Sequence, residues 1–294
     1  MSMEVNIPPG KYVLAVSGGV DSMALLDLLV KQAKSLTSSV ELVVAHFNHG
    51  IRSDSSSDEK LVVTTAKKYG LLVKVGYGAL GKNASEGEAR YARYAFLAKV
   101  KKKYRARAII TAHHQDDLIE TAFINIIRGT GRQGLSSIRS QKILRPLLGY
   151  TKEQILKYAR KKGLKWHEDR SNKDTQYFRN YIRQQLMPKL GAEKRTAIIS
   201  NLDKIAKLNA VINKEIATLS QNKKVLDRHL FTTLPTSVGN ELLADWLRRN
   251  NLRDFDQKTI NRVSVAIKTA QPGTRHEVNK GRTIRLSKDK ATLR

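Results

Sequence analysis

The sequence of 294 residues contains no cysteine. This excludes disulfide bonds and any zinc or iron–sulfur site that depends on cysteine ligands. No run of about 18 apolar residues is present, so no segment has the composition of a membrane-spanning helix. Residues 1–10 lack the basic start and apolar stretch of a signal peptide. We therefore expect a cytoplasmic protein.

Acidic residues are scarce relative to basic ones. Asp and Glu total 26 against 54 Lys and Arg, which gives a net charge of +28. Such a basic protein fits a polyanionic partner, with nucleic acid as the first candidate and an anionic membrane surface as the second. Compositional drift toward lysine is a third explanation, which the sequence leaves open. Aromatic residues are only 6% of the chain, which argues against broad base stacking.

The first part of the chain alternates strand-like and helix-like segments. The predicted strands are 12–16, 40–47, 71–75 and 107–112, and the predicted helices are 21–34, 54–69, 85–103 and 114–128. This alternation predicts an α/β fold with a doubly wound parallel sheet covered by helices on both faces. Ligands of such sheets bind beyond the carboxyl ends of the strands.

The rest of the chain predicts a second, smaller domain. We interpret 129–150 as a loop and 152–163 and 176–190 as helices, followed by a strand at 225–234, helices at 237–250 and 256–269, and a hairpin over 275–294. The predicted organisation is a catalytic domain at 1–190, a connecting helix at 191–222 and a basic α+β domain at 223–294.

A glycine-containing motif directly follows the first predicted strand and opens the first helix. It reads Ser17-Gly18-Gly19-Val20-Asp21-Ser22. Glycines allow close approach of the backbone to a ligand, and the helix start offers free N–H groups to an anion. The serines can donate to phosphate oxygens, and Asp21 can hold Mg²⁺ that bridges phosphates. The alternative is a plain turn in which Asp21 and Ser22 only cap the helix.

Further motifs occur in a fixed order along the chain. They are His46-Phe47-Asn48-His49-Gly50-Ile51-Arg52, Glu88-Ala89-Arg90-Tyr91-Ala92-Arg93-Tyr94, the stretch 111–121, Arg145-Pro146-Leu147-Leu148, the stretch 168–172 and Arg179-Asn180-Tyr181-Ile182-Arg183. With the glycine loop, the set resembles the tRNA(Ile)-lysidine synthetases over roughly residues 12–188. That family belongs to the N-type ATP pyrophosphatases, or PP-loop superfamily, which implies an adenine nucleotide alpha hydrolase-like fold.

The resemblance implies a reaction with ATP and Mg²⁺ as cofactors. The ring carbonyl oxygen of the wobble cytidine in an isoleucine tRNA with a CAU anticodon is adenylated, and pyrophosphate leaves. The ε-amine of free L-lysine then displaces AMP and forms lysidine. A homodimer is plausible for such a protein, and no membrane partner is expected.

The motif at 111–121 supplies candidate catalytic residues. His113, Asp117, Glu120 and Thr121 are spaced so that they share one helix face near the nucleotide. A carboxylate pair there can bind the lysine ammonium or a metal, and His113 can contact phosphates or the transferring group. The alternative for Asp117 is a capping role that complements the helix dipole, and Glu120 could instead be solvated.

Arginines provide further candidates. Arg90 and Arg93 share a helix face and could neutralise charge that develops on the α-phosphate, and the resemblance favours Arg93. Arg183 and Arg179 could bind the lysine carboxylate and tRNA phosphate respectively, although a solvated basic face explains both equally simply. Arg132 lies in a glycine-rich segment, interpreted as a mobile loop, and is a candidate contact to RNA.

Two further groups complete the predicted sites. His46 and Asn48, at the end of the second strand, could line the nucleotide pocket, or they could make only local hydrogen bonds. Residues 256–294 hold ten Lys or Arg against three Asp or Glu, which fits a tRNA clamp formed by Lys280, Arg282 and Arg285.

Three other functions compete with this interpretation. A tRNA thiolase would share the loop and the basic charge, but the absence of cysteine argues against it. A small-molecule synthetase would explain the loop alone. A non-catalytic RNA-binding protein on the same fold is the third, and pyrophosphate release distinguishes it from every enzyme.

Overall fold

A computed structural model describes residues 3–35, 39–50, 55–78, 86–136, 138, 143–168, 178–220, 224–252, 255–279 and 281–294. The chain divides into two compact units. The first contains residues 1–130 and 134–203, and the second contains residues 131–133 and 204–294.

The first unit is built on five parallel strands. They are β1 (Gly10–Ala15), β2 (Val40–Asn48), β3 (Leu72–Tyr77), β4 (Ala108–Ile110) and β5 (Ile143–Leu144), in the order β3-β2-β1-β4-β5. The chain adds β2 and β3 on one side of β1 and then β4 and β5 on the other side. The crevice between the carboxyl ends of β1 and β4 is therefore the topological switch point of the sheet.

Helices connect the strands and continue beyond them. They are α1 (Val20–Ala33), α2 (Ser55–Lys68), α3 (Glu86–Lys103), α4 (Gln115–Ile127), α5 (Arg132–Leu135), α6 (Lys152–Lys161), α7 (Phe178–Tyr181) and α8 (Ala192–Leu219). The predicted doubly wound parallel sheet is confirmed. The α5 and α8 helices each contribute residues to the second unit.

The core of the first unit explains the strand and helix patterns. On one side of the sheet, Leu14 and Val44 pack with Leu25 and Leu29 of α1. On the other side, Val13 and Val43 pack with residues of α3, including Leu97. Successive residues of each strand point to opposite faces of the sheet, and both sets are buried. Helices therefore cover both faces, as is usual for parallel sheets.

Three predicted segments of this unit differ from the structure. The predicted loop 129–150 contains α5 and β5, so the sheet has a fifth strand. The segment 176–190, predicted as one helix, is described from residue 178 and changes from α7 to a π-helical turn at Ile182–Leu186 and a 3₁₀ turn at Met187–Lys189. Pro188 lies in that 3₁₀ turn and cannot supply the N–H that a continued helix needs. Residue His113 precedes α4 instead of lying on it.

The second unit carries an antiparallel sheet of four strands. They are β6 (Val225–Asp227), β7 (Arg275–Asn279), β8 (Arg282–Leu286) and β9 (Lys290–Leu293), in the order β6-β9-β8-β7. The helices α9 (Arg228–Thr233), α10 (Thr236–Arg249) and α11 (Gln257–Thr269) complete it. Trp246 and Phe231 are fully buried in its separate core.

Two predictions for this unit were wrong in part. The predicted strand 225–234 ends at Asp227, because the Asp227 carboxylate accepts a hydrogen bond from the Leu230 N–H and begins α9. The predicted hairpin 275–294 has a third strand, since the chain turns again between Ser287 and Lys290, where the Ser287 N–H donates to the Lys290 carbonyl at 2.8 Å.

One cross-strand pair brings two like charges together. Arg275 on β7 lies directly opposite Arg285 on β8, and both side chains are exposed. Like charges in this position destabilise a sheet, by about 0.5 kcal/mol at an exposed site. None of the described helices is long and apolar enough to cross a membrane.

Candidate functional site

The site lies where β1 and β4, which are neighbours in the sheet, reach their carboxyl ends. The glycine loop at 17–22 follows β1, and residues 111–117 follow β4. The parallel order brings two segments that are about 90 positions apart in the sequence to one edge. This is the edge that the sequence predicted for ligand binding.

The loop has the geometry of an anion cradle. Gly18 has a φ of 95°, in a region that L side chains rarely adopt, so glycine is required there. Gly19 precedes α1 and makes no side-chain cap hydrogen bond. The Ser22 hydroxyl accepts from the Ser17 N–H at 3.2 Å and donates to the Gly19 carbonyl at 2.9 Å, which holds the loop in shape. The start of α1 therefore offers its backbone N–H groups to a phosphate.

Asp21 forms an ion pair that sequence reasoning missed. The Lys152 ammonium, at the first position of α6, lies 2.6 and 2.7 Å from the two Asp21 carboxylate oxygens. Both side chains are partly exposed. A cation thus already pairs with the carboxylate that the sequence predicts to hold Mg²⁺.

His114 links the loop to the second group of site residues. Its Nε2 is 3.9 Å from an Asp21 oxygen and 3.4 Å from an Asp117 oxygen. Its Nδ1 accepts from the Asp116 N–H at 3.2 Å, so the neutral ring carries its proton on Nε2, facing both carboxylates. His114 is also the N-cap of α4, and the Asp117 carboxylate accepts from its backbone N–H at 3.0 Å.

Asp117 therefore caps α4 in addition to facing the site. Burial acts to raise the pKa of Asp117. The electrostatic effects of His114, His113 and Arg183 and the hydrogen bond from the His114 backbone N–H outweigh burial and hold this pKa below its ordinary value. Asp117 is a carboxylate at neutral pH.

Glu120 is the most buried acidic residue of the site, with 1% of its side chain exposed. Arg183 donates to its two oxygens at 2.8 and 2.9 Å and lies 3.5 Å from Asp117. Arg179 lies 4.0 Å from Glu120. Burial raises the pKa of Glu120, and Arg183 opposes this effect. Two carboxylates and two guanidinium groups thus form one nearly neutral cluster.

His113 lies beside a concentration of positive charge. Burial lowers the pKa of His113 to about 4, and Arg145, Arg90 and Arg93 act in the same direction against Asp117. A ring nitrogen is 2.8 Å from the Thr111 hydroxyl. Arg90 and Arg93 both lie over the Tyr94 ring, at 5.0 and 5.5 Å from its centroid. Three arginines around a neutral imidazole favour an anionic ligand.

His46 and Asn48 lie at the end of β2, as predicted, but their side chains are buried and internally bonded. A His46 ring nitrogen is 2.8 Å from the Val16 carbonyl. Asn48 donates to Glu59 at 3.1 Å and accepts from the Gly50 N–H at 2.9 Å. These bonds are the local alternative considered for this motif, and a contact with ATP stays a prediction.

The predicted RNA contacts have different surroundings. In the second unit, Arg132 is held by Glu241 at 2.7 Å and by Asn209 and Asn213. Arg282 and Arg285 are exposed on β8. Lys280 lies outside the described residues. The structure thus leaves Arg282 and Arg285 accessible, while Arg132 also anchors α5.

The donor set at Asp21 fits Mg²⁺. No cluster of three or more acidic or histidine side chains suited to a metal ion occurs in the described part of the chain. A single carboxylate is nevertheless typical of Mg²⁺ sites, in which substrate phosphates and water supply the other ligands.

Known families agree with this geometry. Residues 3–190 match the ATP-binding family ATP_bind_3, the PP-loop domain. The chain belongs to this PP-loop family.

Among curated relatives, the tRNA(Ile)-lysidine synthase of Lactobacillus johnsonii is 36% identical over 244 residues, which cover 80% of this chain and 53% of that protein. The tRNA(Ile)-lysidine synthase of Geobacter sulfurreducens is 37% identical over 254 residues, covering 82% and 52%. The chain thus spans about half the length of the curated relatives that it matches.

A solved structure supports the fold alone. The U34-tRNA thiolase NcsA of Methanococcus maripaludis, with its [4Fe-4S] cluster, superposes with a TM-score of 0.55 at 19% identity, covering 68% of this chain and 74% of that one.

Proposed function

We propose that this protein joins L-lysine to the wobble cytidine of an isoleucine tRNA with a CAU anticodon, with consumption of ATP. The observation that carries the proposal is the polar chain from Lys152 and Asp21 through His114 to Asp117. This chain of contacts connects the glycine loop after β1 with the carboxylates of α4. The named relatives are tRNA(Ile)-lysidine synthases, which supplies the substrate class.

The glycine loop would bind the phosphates of ATP. Backbone N–H groups at the start of α1 stabilise negative charge, the Ser17 hydroxyl adds a donor, and the Ser22 hydroxyl could add another if it left the Gly19 carbonyl. Asp21 would hold Mg²⁺, which neutralises phosphate charge when bound. Lys152, whose ammonium lies beside the loop, would bind a phosphate oxygen of ATP as a charged donor.

The arginines around His113 would stabilise the first chemical step. The cytidine ring carbonyl oxygen forms a bond to the α-phosphorus, and the bond to pyrophosphate breaks. Negative charge on the transferring phosphoryl group and the leaving pyrophosphate increases in this step. Arg93, with Arg90 and Arg145, supplies fixed positive charge for it. The neutral His113 can donate or accept a hydrogen bond without adding charge.

The cluster at Asp117 would bind the amino acid for the second step. Free lysine carries an ammonium group at each end and one carboxylate. Asp117 and Glu120 fit the ammonium groups, and Arg183, whose guanidinium also binds Glu120, supplies positive charge for the carboxylate. The ε-amine, after loss of a proton, attacks the activated ring carbon, and AMP leaves with the former carbonyl oxygen.

The second unit would bind the tRNA backbone. Our candidates for phosphate contacts in this unit are Arg282, Arg285 and Lys280. Arg132 and Arg179, which are nearer in sequence to the catalytic motifs, are two further candidates for contacts with tRNA. Phosphate contacts position a nucleic acid without reading its sequence. A tRNA substrate also agrees with a cytoplasmic location, and a homodimer stays a prediction.

Incorporation of radiolabelled lysine tests the function. The purified chain is incubated with ATP, Mg²⁺ and an isoleucine tRNA transcript with a CAU anticodon, with a methionine tRNA as the control. We expect label in the isoleucine tRNA alone. Pyrophosphate release that depends on tRNA, without label, would mean another nucleophile, with sulfur as the first choice. Absence of both signals would contradict the enzyme assignment.

A further inference from the structure

A buried carboxylate lies outside the proposed site. Asp27 on α1 is 7% exposed and accepts hydrogen bonds from three side chains. The Lys31 ammonium and the Tyr158 hydroxyl bind one oxygen, both at 2.5 Å, and the Tyr69 hydroxyl binds the other at 2.9 Å. Tyr158 lies on α6 and Tyr69 directly follows α2. The carboxylate thus connects three segments of the first unit, although none of these side chains takes part in the proposed chemistry.

The same two helices carry the ion pair of the nucleotide site. Asp21 and Asp27 are six residues apart on α1, and Lys152 and Tyr158 are six residues apart on α6. Six residues correspond to about 9 Å of helix rise. The two helices therefore run in the same direction and are joined by two polar bridges at matching heights. Ile155 of α6 is fully buried in the core that includes α1, and Ala159 is also fully buried.

The hydrogen bond between Tyr158 and Asp27 remains intact over the physiological pH range. Burial acts to raise the pKa of Asp27, but hydrogen bonds from Lys31, Tyr158 and Tyr69 outweigh it and lower the pKa. Burial and the bond to Asp27 raise the pKa of Tyr158 far above its ordinary value. The carboxylate stays charged, and the phenol stays a donor. Packed helices can slide past one another by small amounts, whereas the hydrogen bond from Tyr158 to Asp27 sets the position of α6 along α1.

We propose that Tyr158 is a positioning residue for nucleotide binding, because its bond to Asp27 sets the position of α6 that brings Lys152 to the phosphate loop. The inference rests on the proposed binding of ATP. It adds a part of the molecule that the motifs do not include. Tyr158 acts through Lys152 and touches no substrate.

The variant Y158F tests this, and Y69F is its matched control. Each change removes one hydroxyl that binds the same Asp27 carboxylate. Only Tyr158 lies on the helix that carries Lys152. Binding of a non-hydrolysable ATP analogue with Mg²⁺ is measured by calorimetry, and thermal stability is measured in parallel. We expect Y158F to weaken binding about fivefold and Y69F less than about twofold, at similar losses of thermal stability.

A double-mutant cycle with K152M separates positioning from general destabilisation. If Tyr158 acts through Lys152, Y158F has no further effect on analogue binding in the K152M background. The small effect of Y69F should instead add to the effect of K152M. Equal weakening by Y158F and Y69F would overturn the inference, and so would a full Y158F effect in K152M. If the parent protein does not bind the analogue, the proposed function itself fails.

Discussion

Arg183 holds Glu120 in a planar fork, from Nε to one oxygen at 2.8 Å and from Nη2 to the other at 2.9 Å. The acid is almost completely buried, and the base is partly exposed. An acid in such a place stays charged only with a close cation, so Arg183 determines the charge of the cluster that we assign to the amino acid.

Replacing Arg183 by Met should destabilise the protein by about 3 kcal/mol, because it leaves a buried carboxylate without its main partner. The loss should depend on pH. Burial raises the pKa of Glu120, and removal of Arg183 raises it further. A carboxyl whose pKa is higher in the folded state binds more protons there, so the stability of R183M should fall as pH rises above about 4.5.

Denaturant unfolding of R183M and the parent at about pH 5 and about pH 8 measures this effect. The double variant R183M/E120Q is the control and should show no additional loss at the higher pH. An R183M variant with the pH dependence of the parent would contradict the pairing.

Asp21→Ala should abolish pyrophosphate release from ATP, because it removes the only carboxylate of the glycine loop. Release of labelled pyrophosphate in the presence of tRNA is the measurement. Glu41→Gln, an exposed change on β2 at the Lys11 pair, is the control and should keep the parent rate. Normal turnover of the Asp21 variant would rule out its metal role.

Asp117→Asn should impair the use of lysine more than the use of ATP. We expect the KM for lysine to rise about tenfold or more, since a charge-assisted bond to an ammonium is lost. Asp116→Asn makes the same chemical change one residue earlier, where the carboxylate binds Arg195 at 2.9 Å. Steady-state kinetics with each substrate compare the two variants. An equal rise for ATP and lysine would show that Asp117 serves only as a helix cap.

Protonation of His113 should make the folded protein less stable as the pH falls below about 6.5. Its pKa of about 4 in the folded state is below the ordinary value of 6.5, so the unfolded chain binds the additional proton between these values. Stability therefore falls as pH decreases from about 6.5 to about 4, by up to about 3 kcal/mol. H113Q lacks this titration. The difference in unfolding free energy between parent and H113Q should change over this range, and a constant difference would refute the assignment.

Arg282→Ala combined with Arg285→Ala should raise the KM for tRNA and reduce the dependence of tRNA binding on salt. Each lost phosphate contact lowers the slope of log K against log salt by roughly 0.7 to 0.9. Replacing Lys67 and Lys68, two exposed residues at the end of α2, is the control. Filter binding at several salt concentrations gives the slopes. Equal slopes for all proteins would attribute the basic charge to composition.

The sequence predicted the parallel sheet and the glycine loop because both depend on local patterns: alternating apolar segments, and glycines directly after a strand. Lys152 could not be predicted in this way. It meets Asp21 across 131 positions, and only the packing of α6 against α1 brings them together. His46 and Asn48 show the opposite case. Their motif marked the correct end of β2, but burial directed their side chains into internal hydrogen bonds.

The opposed arginines Arg275 and Arg285 give the second unit an unusual response to ionic strength. Salt screens their repulsion, so the sheet itself should become more stable as salt is added. The same ions should compete with phosphates for this surface and weaken the tRNA binding that we propose. Stability and affinity should thus change in opposite directions. A loss of RNA binding at high salt therefore reports competition for the surface and not unfolding of the sheet.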